Sequence, residues 1–299
     1  MEKEPLVSVI MNCYNGEKYL KKAIDSVLSQ TYTNWEIIFW DNKSEDTSAA
    51  IFNAFSDPRF KYFYAPKHTV LYEARNYAIL KSQGDLIAFL DVDDWWVPEK
   101  LEAQVVLFEN DAVGLACSSY FLINERKEKE RSSVIGPFPS GKVLNELLAE
   151  YFIHVSTLVI RRKAILSLEY LCDPRFNIIG DLDLVIRLML NWELVSLPQP
   201  LAYYRWHKKN TGFTTDYMIS SELAIWIKEV SLIDIVKEQQ NFVRIVAKTK
   251  WYQVIKCIYD GKRLRALSLL KGIPILSQMK AIVAILLPTA IVRKLIKSR

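Results

Sequence analysis

The residues of this chain best suited to chemistry gather in Phe89-Leu90-Asp91-Val92-Asp93-Asp94-Trp95-Trp96. In extended chain, residues two apart point the same way, so Asp91 and Asp93 face one side together. Two or three carboxylates after a buried strand make a hard-oxygen site suited to Mg²⁺ or Mn²⁺, ions that keep waters and take further ligands from substrate phosphates. Taken alone, the same residues read as a polar connection with an Asp N-cap ahead of Pro98. What shifts the balance is a pair of further polar clusters, at residues 12–15 and 41–46, and the elements that end at them.

Those elements alternate. Residues 6–11 form a short β-branched run bounded by Pro5 and a polar turn, and residues 17–30 carry Leu20, Ala23, Ile24, Val27 and Leu28 at helical spacing. Strands are expected at 35–40, 60–64 and 85–90, with helices at 47–55 and 71–82. Such alternation implies an α/β fold with a largely parallel sheet and right-handed crossovers. Ligands bind such sheets at the carboxyl ends of the strands, where all three polar clusters fall. The second half is less regular: a helix at 98–109, strands at 113–123, 155–160 and 201–205, and a helix at 181–192. A charged loop is expected at 124–131, with a turn after it containing Pro137, Pro139 and Gly141. Beyond Tyr217 the pattern is mainly helical. The pair Trp95-Trp96 reads as packing rather than as a sugar platform.

A chain of 299 residues, 51% hydrophobic, can bury a substantial core and is not disordered. Cys13, Cys117, Cys172 and Cys257 are scattered in apolar contexts, without metal spacing, and read as reduced and buried, in keeping with a cytosolic protein. The charged N-terminus is followed by an apolar run too short for a signal sequence. The net charge of +5 hides an asymmetry: residues 241–299 hold 13 Lys or Arg and one acid, Asp260, leaving the first 240 residues at −7. The basic region is expected to meet something anionic.

The motifs in series closely resemble family 2 glycosyltransferases of the GT-A fold. Val7-Ser8-Val9-Ile10-Met11-Asn12-Cys13-Tyr14-Asn15 and Ser26-Val27-Leu28-Ser29-Gln30-Thr31-Tyr32 are similar to the family's opening, and Asp41-Asn42-Lys43-Ser44-Glu45-Asp46-Thr47 to its acidic nucleotide loop. Glu73-Ala74-Arg75-Asn76, Gly84-Asp85, the Asp91–Asp94 cluster, Trp95 to Glu102, Gly180-Asp181-Leu182-Asp183-Leu184 with Arg187, and Tyr204-Arg205-Trp206-His207 complete the match, across about residues 6 to 212. Lys43, Val70 and Ala78 stand where glycines are common.

The resemblance implies an inverting transfer from a nucleotide-sugar donor, most readily a UDP-sugar. It implies donor contacts from Asn12, Tyr14, Asn15, Asp41, Arg75 and Asp91. It places a divalent metal, Mn²⁺ or Mg²⁺, on Asp93, Asp91 and His207, with Asp94 behind them, and loop or phosphate contacts on Arg205 and His207. Asp181 matches the base that deprotonates the acceptor hydroxyl. On a helix, residues two apart diverge by about 200°, so Asp181 and Asp183 cannot both face one site. A helix N-terminus also lowers a carboxylate's basicity, and the alternative reading of an acid there is a cap. The acceptor implied is a lipid-linked or surface glycan. Residues 1–112 are then the nucleotide-sugar and metal half, 113–216 the acceptor half, and 217–299 a basic helical membrane-association region.

In that last region, residues 281–292 are twelve largely apolar positions interrupted by Pro288, short of the ~20 that span a bilayer. Flanked by Lys280, Arg293, Lys294, Lys297 and Arg299, they suit an anionic membrane interface, and hence a peripheral protein at the cytoplasmic face of the cell membrane. A helical pair packed on the body or on a second subunit is the plainer reading. No nucleic-acid motif is present. Two other functions fit parts of the pattern. A sugar-1-phosphate nucleotidyltransferase would carry a Gly-rich basic loop after the first strand, which residues 12–16 lack, and a non-catalytic glycan-binding relative would not turn over donor.

Overall fold

Residues 7–13 and 35–41 are mostly apolar, the exceptions being Ser8, Asn12, Glu36 and Asp41, and such runs suit the inside of a sheet. In the computed structural model, which describes residues 4–125, 133–207, 210, 216–271 and 274–292, β1 (Val7–Cys13), β2 (Trp35–Asp41), β3 (Phe60–Tyr64) and β4 (Leu86–Phe89) run parallel in the order β3-β2-β1-β4. The crossovers are α1 (Glu17–Leu28), α2 (Ser48–Asn53) and α3 (Leu71–Lys81). Val7, Val9, Met11 and Cys13 of β1 share a core with the Leu20, Ala23, Ile24 and Val27 stripe of α1. The helical spacing read in the sequence is therefore the face that packs on the sheet.

The later strands extend this sheet rather than starting another. β5 (Trp95–Trp96), β6 (Val113–Asn124), β8 (Val159–Arg161) and β9 (Glu193–Trp206) continue it in the order β4-β8-β6-β9-β5, while β7 (Ser133–Ile135) pairs with β6. Here β4 with β8, β8 with β6 and β5 with β9 are antiparallel, and β6 with β9 is parallel. The sheet is thus mixed, with its parallel part in the first half.

Two expected strands differ in detail. The strand expected at 155–160 opens as a 3₁₀ turn over Val155–Thr157, and only Val159–Arg161 joins the sheet. The strand expected at 201–205 begins at Glu193 and runs through Pro198 and Pro200, where its pairing with β6 shifts register. Proline cannot donate to a ladder, so the sequence reads as broken where the strand only bulges. Helices α4 (Lys100–Val105), α5 (Leu144–Ala149), α6 (Arg162–Leu166) and α7 (Gly180–Leu188) fill the second half. Among them, α5 and α6 are too short to show a periodic face in the sequence.

The chain divides into two compact units. One comprises Met1–Val143 and Phe152–Lys208, the other Leu144–Tyr151 and Lys209–Arg299. The second is helical, with α5, α8 (Asp216–Val230), α9 (Asp234–Lys237), α10 (Phe242–Tyr259), α11 (Arg263–Ser268) and α12 (Ile275–Leu286). Ala247, Val254, Ile258, Ala266, Ala281 and Ile285 belong to its core. The apolar run breaks at Pro288 as expected, and no helix among the described residues is long and apolar enough to cross a membrane. The flanking bases from Arg293 onward lie outside the described residues. All four cysteines are buried and free.

One buried amine has a measurable consequence. Lys100 of α4 is wholly enclosed, donating to Gln104 Oε1 at 2.6 Å with Nζ 4.2 Å from the Trp96 ring centroid. Burial pulls its pKa down to about 7. Between that value and the ordinary lysine range, the unfolded chain holds a proton that the folded chain has released, so stability rises with pH. One such group contributes a slope of up to about 1.4 kcal/mol per pH unit. Urea unfolding of Lys100→Met from pH 7 to 10 is expected to be flatter than wild type by that amount.

Candidate active site

Three carboxylates converge because the chain turns sharply where β4 ends. Leu90 N still donates to Ile10 O at 3.0 Å, and four residues later Asp94 N closes back onto Asp91 O at 3.0 Å. The segment is a turn, not extended chain. Strand alternation therefore does not account for the shared direction of Asp91 and Asp93, and the turn brings in Asp94 as well. Carboxylate oxygens of Asp91, Asp93 and Asp94 all lie within 4.8 Å of one another.

Each acid has its own support. Asp94 is buried, accepting the Ser156 hydroxyl at 2.6 Å and the Arg205 backbone N–H at 2.9 Å. Burial, followed by the charges of Asp93 and Asp91, pushes its pKa well up. His154 Nε2 lies 3.7 Å from the same carboxylate, and burial holds that imidazole down to about 4, so it is neutral near pH 7. Asp93 Oδ2 lies 2.9 Å from His207 Nε2, and its backbone carbonyl accepts Arg205 Nε at 2.9 Å. Helix α1 steadies both partners: the Tyr19 ring stacks on His207 at 5.2 Å, the Arg205 guanidinium lies 4.6 Å from the Tyr19 centroid, and Tyr19 Oη donates to Glu125 at 2.6 Å.

Asp91 is tied instead to α3. Its Oδ1 accepts Arg75 Nη2 at 2.7 Å, and Arg75 is buried beside the rings of Tyr72 and Phe89. Burial opposes the guanidinium charge, but Asp91, Tyr72 and Asp181 together outweigh it and raise the Arg75 pKa. A buried arginine with one carboxylate is not the ordinary exposed residue of a surface helix.

The first two loops interlock beside it. Asp41, fully buried at the end of β2, accepts Tyr62 Oη at 2.8 Å and the Ser44 N–H at 2.7 Å. Asn15 Oδ1 accepts the Glu45 N–H at 2.8 Å, and the Asn15 N–H donates to Ser44 Oγ at 3.0 Å. Asn15 and Lys43 adopt φ of 53° and 73°, and the second explains why glycine suits position 43. The loop keeps its course with lysine at a left-handed residue. Both amide atoms of Asn12 are buried without a partner among the described residues, an arrangement that calls for a ligand or water. Tyr14 is half exposed, with its ring 4.2 Å from His68.

Asp181 stands in the first turn of α7, where its Oδ1 accepts Tyr72 Oη at 2.9 Å. Asp183 is buried and bound to Arg187 at 2.8 Å, so it is already engaged. Helix α3 grips α7 and the segment before it at three points. The Leu71 N–H donates to Asn177 Oδ1 at 3.1 Å, the Asn76 amide both donates to and accepts from the Cys172 backbone at 2.8 Å, and Tyr72 meets Asp181. Gly180 permits the last contact, since a Cβ there would lie 2.4 Å from the Tyr72 ring. Gly180→Ala is expected to displace Tyr72, lower the melting temperature by the equivalent of about 1–3 kcal/mol, and reduce turnover roughly tenfold. Parallel thermal and kinetic measurements check both effects.

Of the residues singled out in the sequence, Asp91 and Asp93 on the turn meet Arg75, Arg205 and His207, while Asn12, Tyr14, Asn15 and Asp41 lie at the ends of β1 and β2, and Asp181 lies beyond Tyr72. Sequence reasoning passed over Tyr72, His154 and Ser156. A tyrosine opening a helix and a histidine among apolar neighbours both read as core.

Residues 8–168 match the family model described as Glycosyl transferase family 2, more than half of the chain. The chain belongs to that family. The transferase is 36% identical over 159 residues to WfgD of Escherichia coli, named as a UDP-Glc:alpha-D-GlcNAc-diphosphoundecaprenol beta-1,3-glucosyltransferase, a match covering 52% of this chain and 60% of WfgD. It is 34% identical over 122 residues to TuaG of Bacillus subtilis, a putative teichuronic acid biosynthesis glycosyltransferase, covering 40% and 48%. These matches span less than two thirds of either relative. Among solved structures, S. aureus TarS 1–349 in complex with UDP-GlcNAc superposes with a TM-score of 0.67 at 13% identity, covering 93% of the transferase and 90% of TarS. The mannosyltransferase PcManGT of Pyrobaculum calidifontis, in complex with GDP-Man and Mn²⁺, gives 0.62 at 14%, covering 94% and 79%. The mixed α/β sheet with flanking helices is the GT-A fold of these neighbours.

Proposed function

We propose that this transferase moves a sugar from a nucleotide-sugar donor to a hydroxyl of a lipid-linked or surface glycan with inversion, and that Asp181 is the base. The observation that carries this is the pair of sites reached from one helix: α3 sets Arg75 on Asp91, within the acidic turn, and Tyr72 on Asp181. In the reaction the acceptor oxygen attacks the anomeric carbon, the bond from that carbon to the nucleotide diphosphate breaks, and the hydroxyl proton passes to Asp181. A single base and a single displacement invert the anomeric centre. Arg75 offers charge to the departing diphosphate. Asn12, Tyr14, Asn15 and Asp41 line the nucleotide side in this reading, and Arg205 and His207 the phosphate side, with residues 1–112 serving the donor and 113–216 the acceptor.

The donor set on the turn fits a divalent cation: hard carboxylate oxygens of Asp91 and Asp93, the His207 imidazole, and Asp94 held behind them by Ser156 and Arg205. Bound there, Mn²⁺ or Mg²⁺ would stabilise the negative charge that the leaving diphosphate gains. UDP as the nucleotide and a lipid-linked glycan as the acceptor are supported by what WfgD is named for and by the UDP-GlcNAc complex of TarS. Acceptors of that kind would keep the chain at the cytoplasmic face of a membrane, where the basic region from residue 241 meets anionic lipid.

The family match leaves no place for a nucleotidyltransferase reading. Thermal shift with Mn²⁺ and UDP-, GDP-, CMP- and dTDP-sugars tests the proposal, because ligand binding to the folded state raises the melting temperature. UDP-sugars are expected to give the largest shift. No shift with any of them would sink the reading.

A further inference from the structure

The helical unit holds a surface that the transfer reaction does not use. On α12 the stripe Ala281, Ala284 and Ile285 packs inward. The opposite side carries Ile275, Leu276, Met279, Val283 and Leu286, each more than half exposed, with Leu276 at 77% and Leu286 at 78%. One exposed leucine is ordinary, but a continuous ridge of large apolar side chains on a 12-residue helix marks a contact surface. Beside the ridge, within the same unit, lies a cleft of about 690 Å³ between α10, the start of α12 and the end of α5. Arg244, Lys248 and Lys280 line it with Trp251 and a single acid, Glu150, and Lys280 Nζ lies 4.5 Å from the Trp251 centroid.

The two features together select the occupant. The cores of protein interfaces are depleted in lysine, whereas a helix lying in a membrane interface pairs an apolar face with basic flanks and a tryptophan at headgroup level. Residues 241–299 hold 13 basic side chains against one acid, the complement of an anionic surface. No helix among the described residues is long and apolar enough to span a bilayer, so a membrane contact through α12 would run along the surface rather than across it.

We propose that α12 docks into the headgroup layer of an anionic membrane, with Leu276, Met279, Val283 and Leu286 at the acyl boundary and a lipid phosphate in the cleft against Arg244, Lys248 and Lys280. This deepens the lipid-linked acceptor of the proposed function by naming the surface that meets lipid, and it rests on that reading for its purpose.

The test is sedimentation of the full chain with phosphatidylcholine vesicles with and without phosphatidylglycerol. Binding is expected only with the anionic lipid, weakening as salt rises. Leu276→Ser with Met279→Ser should lower partition tenfold or more, roughly the effect of keeping two apolar side chains in water. Arg244→Gln, Lys248→Gln and Lys280→Gln should each lower it roughly fivefold. All four variants should keep wild-type slow hydrolysis of the nucleotide sugar in buffer, which shows that they fold. Equal binding to both vesicle types, or unchanged binding in the variants, overturns the proposal. So does a cleft variant that loses a thermal shift with inorganic phosphate yet binds vesicles normally, since the cleft is then a free-phosphate site. A dimer that Leu276→Ser with Met279→Ser converts to monomer, vesicle binding unchanged, makes the ridge a contact between copies and overturns it as well. Vesicle binding as expected, with no turnover of any nucleotide sugar, supports the surface and defeats only the transfer reading.

Discussion

Asp181→Asn is expected to reduce transfer by roughly a thousandfold while leaving the melting temperature and donor binding unchanged. Asparagine keeps the shape of aspartate and can still accept the hydrogen bond from Tyr72, which holds position 181 at 2.9 Å. What it loses is the ability to take a proton from the acceptor. The neighbouring acid supplies the control. Asp183 is buried and paired with Arg187 at 2.8 Å, so Asp183→Asn leaves a guanidinium without its counter-charge. That variant is expected to lose roughly 3 kcal/mol of stability. Turnover per folded molecule should stay near wild type. Steady-state rates at saturating donor and acceptor, corrected for the folded fraction, separate the two. Wild-type turnover in Asp181→Asn would remove the base from the mechanism.

Asp93→Ala is expected to cost a further thousandfold of its own, and to abolish any donor thermal shift that depends on Mn²⁺. EDTA should reproduce the loss in wild type and added Mn²⁺ should reverse it, whereas the variant should not respond. Asp93 is the cleaner position to change. Its carboxylate is partly exposed, with His207 Nε2 at 2.9 Å, so solvent reaches the space that the substitution opens. Asp91 differs, because it neutralises the buried Arg75, and Asp91→Ala leaves that charge uncompensated. A loss of roughly 3–5 kcal/mol is expected there, which would mix unfolding with lost chemistry. Retained metal-dependent binding in Asp93→Ala would place the cation elsewhere.

The parallel part of the sheet was readable because its signals are local. Apolar β-branched runs end at polar clusters, and the helices between them show one apolar face, so β1 to β4 and α1 to α3 fall close to their expected bounds. The rim residues followed from the same punctuation. The second half was less readable, for physical reasons. β9 runs through two prolines by shifting register against β6, and a sequence shows the missing donors but not the bulge that tolerates them. Strand alternation sets Asp94 on the opposite side from Asp91 and Asp93, and only the turn puts its carboxylate beside theirs. His154 and Ser156 act through a carboxylate some sixty residues away, and only the assembled sheet brings them together. The choice of Asp181 over Asp183 rested on resemblance. In the structure Asp183 is occupied by Arg187, a pairing four residues apart on a helix that the sequence displays openly.

Helix α3 carries Tyr72 and Arg75 three positions apart, on one face and less than a full turn from each other. The gap between Arg75, proposed to meet the donor's charge, and Asp181, the proposed base, is therefore gauged by a rigid rod rather than by loops. Asn76 and Leu71 fasten that rod to residues 172–177. Redesign for a new acceptor has latitude wherever side chains do not touch the rod, but a change that slackens its fastenings puts both ends out of tolerance at once. Such enzymes would show weaker donor binding and slower chemistry in the same variant, although the altered residue touches neither substrate.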